Sequence, residues 1–275
     1  MISTRIHRAS IQVITGLVLW ISGAAVAHAE ALRTGGTGAA LATMRQLGAA
    51  FVKLEPDVRI DVIEGLGSSG GIAAITAGAI DFSFSGRALT AADDQTLKAS
   101  LFARTPFGLA SSNPQPGNLK SSDVAGFIGS ASSVWPDGTP ARLILRPKTD
   151  SDTHLLVRSF PNMADVMDKL RNRPEIPIAV TDQDNATLAE KLTGSLTAMT
   201  LLQLQSERLR LSFVTIDGVA PTLENFESGT YPYGKDIYLV TQSRIVPVLG
   251  RFIAFVRSAD GRGILRANGS LAAPP

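Results

Sequence analysis

Along most of its length this chain alternates short β-patterned stretches with helix-patterned ones, which restricts it to a small set of α/β folds. Segment 31–34 reads as a strand and 39–54 as an apolar-periodic helix. Segment 59–63 follows as a strand, with Val58, Ile60 and Val62 on one face. A helix over 69–77, a strand over 80–84 and a helix over 91–100, opened by Thr90, continue the series. Helical crossovers of this length predict a parallel sheet covered by helices. The middle repeats the pattern, with strands at 107–110, 143–145, 176–180, 196–199 and 211–216. Helices are expected there at 122–128, 151–159, 163–171, 185–192 and 201–208. A helix at 221–227, a strand at 236–241 and a helix at 246–256 close the series. The Gly/Ala/Pro-rich tail from Gly261 reads as a surface extension. Asn113-Pro-Gln-Pro-Gly117 and Trp135-Pro-Asp-Gly138 are turns, too short to separate free domains.

The first 29 residues stand apart. Arg5 and Arg8 precede a mostly apolar run from 11 to 26, and Ala27-His28-Ala29 has the small-x-small form of a signal-peptidase site. A cleavable secretory signal over 1–29 is expected, and with it a mature chain that is not embedded in a membrane. Gln12, Thr15, Ser22 and Gly23 interrupt the run, which is short for a spanning helix. Without the signal, 24 basic residues face 24 acidic ones. With no basic run or aromatic-studded stripe besides, nucleic acid is not an expected partner. The chain has no Cys, and His154 is the one histidine outside the signal. Disulfides, thiol catalysis and His- or Cys-built metal sites are therefore not expected, nor is any cofactor.

Four polar stretches carry the functional signal: Thr34-Gly-Gly-Thr-Gly38, Gly67-Ser-Ser-Gly-Gly71, Asp81-Phe-Ser-Phe-Ser-Gly-Arg87 and Arg146-Pro-Lys-Thr-Asp-Ser-Asp-Thr153. Three of them precede expected helices, where unpaired N–H groups and neighbouring hydroxyls suit an anion. Thr37 is placed as an N-cap with spare hydroxyl capacity, beside the Gly38 N–H. Ser68 and Ser69 open the next helix, and Ser85 and Arg87 end a strand. Arg146 stands at another strand end, and an arginine there can clamp an oxyanion through two points. Asp150, Ser151 and Thr153 then open a helix, with Asp150 or Ser151 as its cap. Capping alone accounts for many of these residues. It does not account for Arg146.

Gly67-Ser-Ser-Gly-Gly71 also fits G-x-S-x-G, with Ser69 as a would-be nucleophile at a strand–turn–helix junction. A secreted serine hydrolase is thus an alternative, with His154 as its only candidate base.

In their order these segments resemble the substrate-binding proteins of phosphate ABC transporters, over most of residues 31–270. The family's Gly-Thr start resembles Gly36-Thr37, and its Gly-Ser-x-Gly turn resembles Gly67-Ser68-Ser69-Gly70. Its Asp-Phe-Gly-Ala-Ser strand end resembles the segment from Asp81 to Ser85, and its Arg-x-x-x-Ser-Gly-Thr segment resembles that from Arg146 to Thr153. Asp217-Gly-Val-Ala-Pro-Thr222 and Gly229-Thr-Tyr-Pro232 also resemble family features. The resemblance implies a two-lobed α/β periplasmic binding protein fold of type II, with mixed or parallel sheets flanked by helices. Lobe 1 would hold 30–107 and 215–275, and lobe 2 would hold 108–214. It implies a non-enzymatic, monomeric periplasmic protein that captures phosphate or a similar inorganic oxyanion for an inner-membrane ABC permease. Thr37, Gly38 and Ser68 would bind from one lobe, and Arg146, Ser151 and Thr153 from the other. Two departures stand out. Gly86 follows Ser85 where the family often has Asp, and Asp152 stands where it has Gly, with one extra residue between Arg146 and Ser151. Either Asp152 or Asp150 replaces the missing proton acceptor, or Asp152 points away, or the ligand is not phosphate. A receptor-like adaptor without ligand is the third functional alternative.

Overall fold

The computed structural model describes residues 30–274, and the expected signal segment lies outside them. The chain begins with β1 (Glu30–Gly36), a single 3-10 turn (Gly38–Ala40) and α1 (Leu41–Leu54). Then come β2 (Val58–Ile63), α2 (Gly67–Thr76), β3 (Phe82–Ser85) and the long β4 (Leu97–Ser111). The middle holds β5 (Asn118–Leu119), α3 (Val124–Gly129), β6 (Arg142–Leu143), α4 (Ser151–Ser159), α5 (Met163–Leu170), α6 (Asp182–Lys191), β7 (Ser195–Thr200) and α7 (Leu201–Ser206). It ends with β8 (Ser212–Phe213), β9 (Thr215–Ile216), α8 (Leu223–Glu227), β10 (Gly234–Gln242), α9 (Pro247–Arg257), α10 (Ala259–Ala267) and β11 (Leu271–Ala272).

The sheet is mixed, in the order β2-β1-β3-β10-β4-β7-β6, with β8 and β11 also on β4. Parallel pairing holds among β1, β2 and β3, and between β6 and β7. The returning β10 runs antiparallel to both β3 and β4. Up to Pro106, β4 pairs with β10; from Phe107 to Ala110 it pairs with β7. Pro106 stands where the partner changes, a place that tolerates the missing N–H.

The two largest hydrophobic clusters among the described residues lie on either side of this switch. Leu32, Leu47, Phe51, Phe82, Phe84, Phe252 and Leu265 belong to the first, which also takes in Leu202 of α7. Edge-on contact of Phe51 with Phe252 and of Phe82 with Phe84 gives it an aromatic centre. The second is built on Phe107, Trp135, Leu156, Met167, Leu196 and Tyr231.

Three local expectations are corrected. Segment 91–100 is not a helix: Asp93 takes up the Thr90 N–H (2.7 Å) and hydroxyl (2.9 Å), which makes a turn, and β4 starts at Leu97 against β10. Segment 176–180 forms only one bridge, Ile178 to Leu145, because Pro177 cannot extend the ladder. The tail is no loose extension, since Leu265 of α10 is fully buried and β11 pairs with β4.

Candidate functional site

Sheet topology brings the ends of β1 and β3 together with the start of α4. Thr37 caps the 3-10 turn without a side-chain capping bond, and its N–H goes to Phe84 O at 2.9 Å. Ala39 N–H reaches a residue 143 positions away, Asp182 Oδ2, at 3.0 Å. Gln183 Nε2 donates to Gly38 O at 3.0 Å. Gly38 has no room for a side chain, because a Cβ would lie 2.5 Å from Asp182 Oδ2.

On the opposite side Arg146 is 4% exposed. Its Nη1 donates to Ala179 O at 2.8 Å, and its Nη2 donates to Asp150 Oδ2 at 2.9 Å and to Asp182 Oδ1 at 3.2 Å. Nε has no protein partner. Asp150 also caps α4 by accepting from Asp152 N–H at 2.8 Å. The Thr153 hydroxyl is turned to the backbone, donating to Pro147 O at 2.9 Å.

Asp152 forms a fully buried ion pair with Lys235 of β10. Burial pushes the Asp152 carboxyl up to about 6; the Lys235 ammonium opposes the rise, and Asp150 and Asp182 add to it. Burial alone would lower Lys235, but attraction to Asp152, Asp182 and Asp150 outweighs it and holds the ammonium above its ordinary value. Lys235 also explains Gly86. A Cβ there would collide with Lys235 Cε and sit 2.9 Å from Ser151 Oγ, so no aspartate fits after Ser85. Gly86→Ala is therefore expected to cost about 1–3 kcal/mol through overpacking, read as a lower midpoint in thermal unfolding.

Of the ten residues singled out in the sequence, Thr37, Gly38, Arg146, Ser151 and Asp152 meet at this junction, and Thr153 backs it. Ser68 joins them by accepting from Gly86 N–H at 2.9 Å. Ser69, Ser85 and Arg87 form a separate brace. Arg87 clamps Asp93 through two bonds of 2.8 and 2.9 Å and donates more weakly to Ser69 Oγ. That clamp raises the guanidinium and holds Asp93 well below the usual carboxylate range. Ser85 bonds only to the backbone of Arg87. His154 is exposed on α4, and the Ser69 hydroxyl faces a guanidinium, so these residues form no nucleophile–base pair.

Sequence reasoning missed Asp182, Gln183 and Lys235. Lys235 had a readable signal, because it shares the buried face of β10 with Ile237 and Leu239. Asp182 had less. It sits in Thr181-Asp-Gln-Asp184, a capping box that accounts for Thr181 and Asp184 and leaves Asp182 unmarked. Gly36, Gly38, Gly67, Arg146, Asp150, Asp182 and Gln183 border a cavity of about 50 Å³. Arg146 on its wall is paired with Asp150 and Asp182, while the buried Lys235–Asp152 pair lies outside its lining.

A family model described as a PBP superfamily domain matches residues 22–260. No match is found among curated proteins. Among solved structures, one from Clostridium perfringens, assigned as a phosphate ABC transporter substrate-binding protein with bound phosphate, has a TM-score of 0.73 at 17% identity. The match covers 89% of this chain and 100% of that one. An ABC-type phosphate transport receptor from Vibrio cholerae matches with a TM-score of 0.61 at 17% identity, over 89% of this chain and 100% of its own. The reduced form of the OxyR protein from N. meningitidis shares the architecture, with a TM-score of 0.58 at 8% identity over 89% and 99% of the two chains. The fold is that of periplasmic binding proteins.

Proposed function

We propose that this chain, which belongs to the PBP superfamily, is a solute-binding protein that captures a small inorganic oxyanion, phosphate in the first place, and delivers it to an ABC importer. One observation carries the reading. Ala39 N–H, from the first-core side, and Arg146, from the second, hold the two oxygens of a single carboxylate. Donors placed to share one anion across a junction suit a clamp that closes on its solute. Ser68 and Ser151 lie beside Gly86, Thr37 precedes Gly38, and Gly38 lets the backbone come close. Ser69, Ser85 and Arg87 brace the β3 end. Thr153 braces the backbone after Arg146.

The lobes in this reading are 30–107 with 215–275, and 108–214, hinged where β4 changes partner, with Leu202 packing across the division into the first core and Tyr231 into the second. The likeness to two phosphate-transport structures supports phosphate over other oxyanions. No helix among the described residues is long and apolar enough to cross a membrane. In this reading the chain is released to the periplasm after loss of 1–29 and acts as a monomer beside an inner-membrane permease.

A second reading has one observation in its favour. Every cation of the junction already has a carboxylate partner, as in a receptor-like adaptor that kept the fold and lost its solute. Calorimetric titration of phosphate, with sulfate as control, into protein stripped by unfolding and refolding separates the two. One-to-one binding of phosphate supports capture; sulfate binding alone changes the solute; absence of heat with both leaves the adaptor.

A further inference from the structure

The anion seat is filled by the protein itself. Asp182 is 7% exposed at its side chain, and its two oxygens take Ala39 N–H and Arg146 Nη2. Local helix chemistry does not require it there, because Thr181 and Asp184 complete the cap of α6 without it. Arg146 does not depend on it for charge either, having Asp150 as a second partner. The surroundings are shaped to receive this carboxylate. Only glycine fits at position 38, and Gln183 fastens the adjoining carbonyl. Arg146 Nε, deeply buried, still has no protein partner.

Building on the oxyanion reading above, we infer that Asp182 is a tethered competitor that sets the selectivity of the seat. It joins the two sides in the absence of solute, and a free anion gains the donors only by displacing it. Both donors are already taken up by Asp182, so a free anion reaches them only by displacing it, and withdrawal of Asp182 also removes a negative charge from beside Asp152 and Glu207. Measured affinity is then the difference between solute and carboxylate for one set of donors. A free monocarboxylate gains nothing from that exchange, whereas a tetrahedral oxyanion brings more oxygens and more charge. The seat thereby discriminates against organic carboxylates.

The test compares wild type, Asp182→Asn and Asp182→Ser. Asparagine keeps an acceptor for Ala39 N–H but removes the like charge, so phosphate should bind about tenfold tighter or more in calorimetry. Serine shortens the side chain, so sodium formate should raise the melting temperature of Asp182→Ser in proportion to dose and leave that of wild type unchanged. The serine variant carries the test alone if asparagine prevents folding. Binding of phosphate by Asp182→Asn only would support the inference and make the tether dominant. If wild type binds phosphate and neither variant binds tighter nor responds to formate, the inference fails while the oxyanion reading stands. If no form binds phosphate or sulfate and formate has no effect, both fail.

Discussion

Replacing Lys235 with methionine is expected to destabilise the folded protein by about 3–5 kcal/mol at neutral pH, although the side chain is replaced by one of similar length. Lys235 is 1% exposed and shares the inward face of β10 with Ile237 and Leu239, so methionine suits the packing. What it cannot do is balance Asp152, which is equally buried and already faces Asp150 and Asp182. A buried carboxylate deprived of its cation keeps its desolvation cost and loses its compensation. The double variant Lys235→Met with Asp152→Leu should recover most of the loss, because removing both charges of a buried pair is often neutral. pH supplies an independent check. The folded-state value of Asp152, about 6, already lies above the ordinary 3.8, so its favourable contribution is full below the ordinary value and fades as pH rises through the folded one. Without Lys235 the folded value rises further, and the single variant should regain stability between pH 8 and pH 5. Urea unfolding at both pH values reads the effect. A loss under about 1 kcal/mol, or no recovery in the double variant, would contradict a buried ion pair.

That pair also joins the two departures from the family pattern. An aspartate after Ser85 would need the space that Lys235 occupies, and Asp152 is the counterion that lets Lys235 lie there. Each looked like a separate loss in the sequence. Together they are one exchange of charge, with Lys235 as the unread third member.

Elements whose periodicity agrees with their local chemistry are legible in the sequence. The alternation from β1 through β3 and the Asp150 cap of α4 are examples, as both depend on residues close in sequence. Elements decided by a distant partner are not. The Thr90–Asp93 turn resembles a helix start, and only pairing with β10 makes Leu97 onward a strand. Leu265 gave little signal among Gly and Ala, yet it completes the first core. The candidate site divides in the same way. Thr37, Ser68 and Arg146 were visible because they end strands or start helices. Asp182 reaches its partners from 143 and 36 positions away, and a capping box conceals it.

Arg146→Met should have the other large effect, and a second substitution resolves it into two parts. The first part is structural: Asp182 and Asp150 lose their shared cation, at a cost of about 3–5 kcal/mol, since the arginine is almost wholly buried. The second is functional, because the seat then offers an incoming oxyanion no guanidinium. Adding Asp182→Asn removes one of the stranded carboxylates and should restore part of the stability without restoring phosphate binding. Arg146→Lys should fold better than the methionine variant and still bind poorly, because one ammonium cannot reproduce a fork that reaches Ala179 O, Asp150 and Asp182 together. Unfolding curves and phosphate titrations on the same three proteins separate the parts. Binding that survives in Arg146→Met with Asp182→Asn would remove Arg146 from the seat, whatever its effect on stability. Loss of binding in that variant despite recovered stability would assign the guanidinium to solute capture.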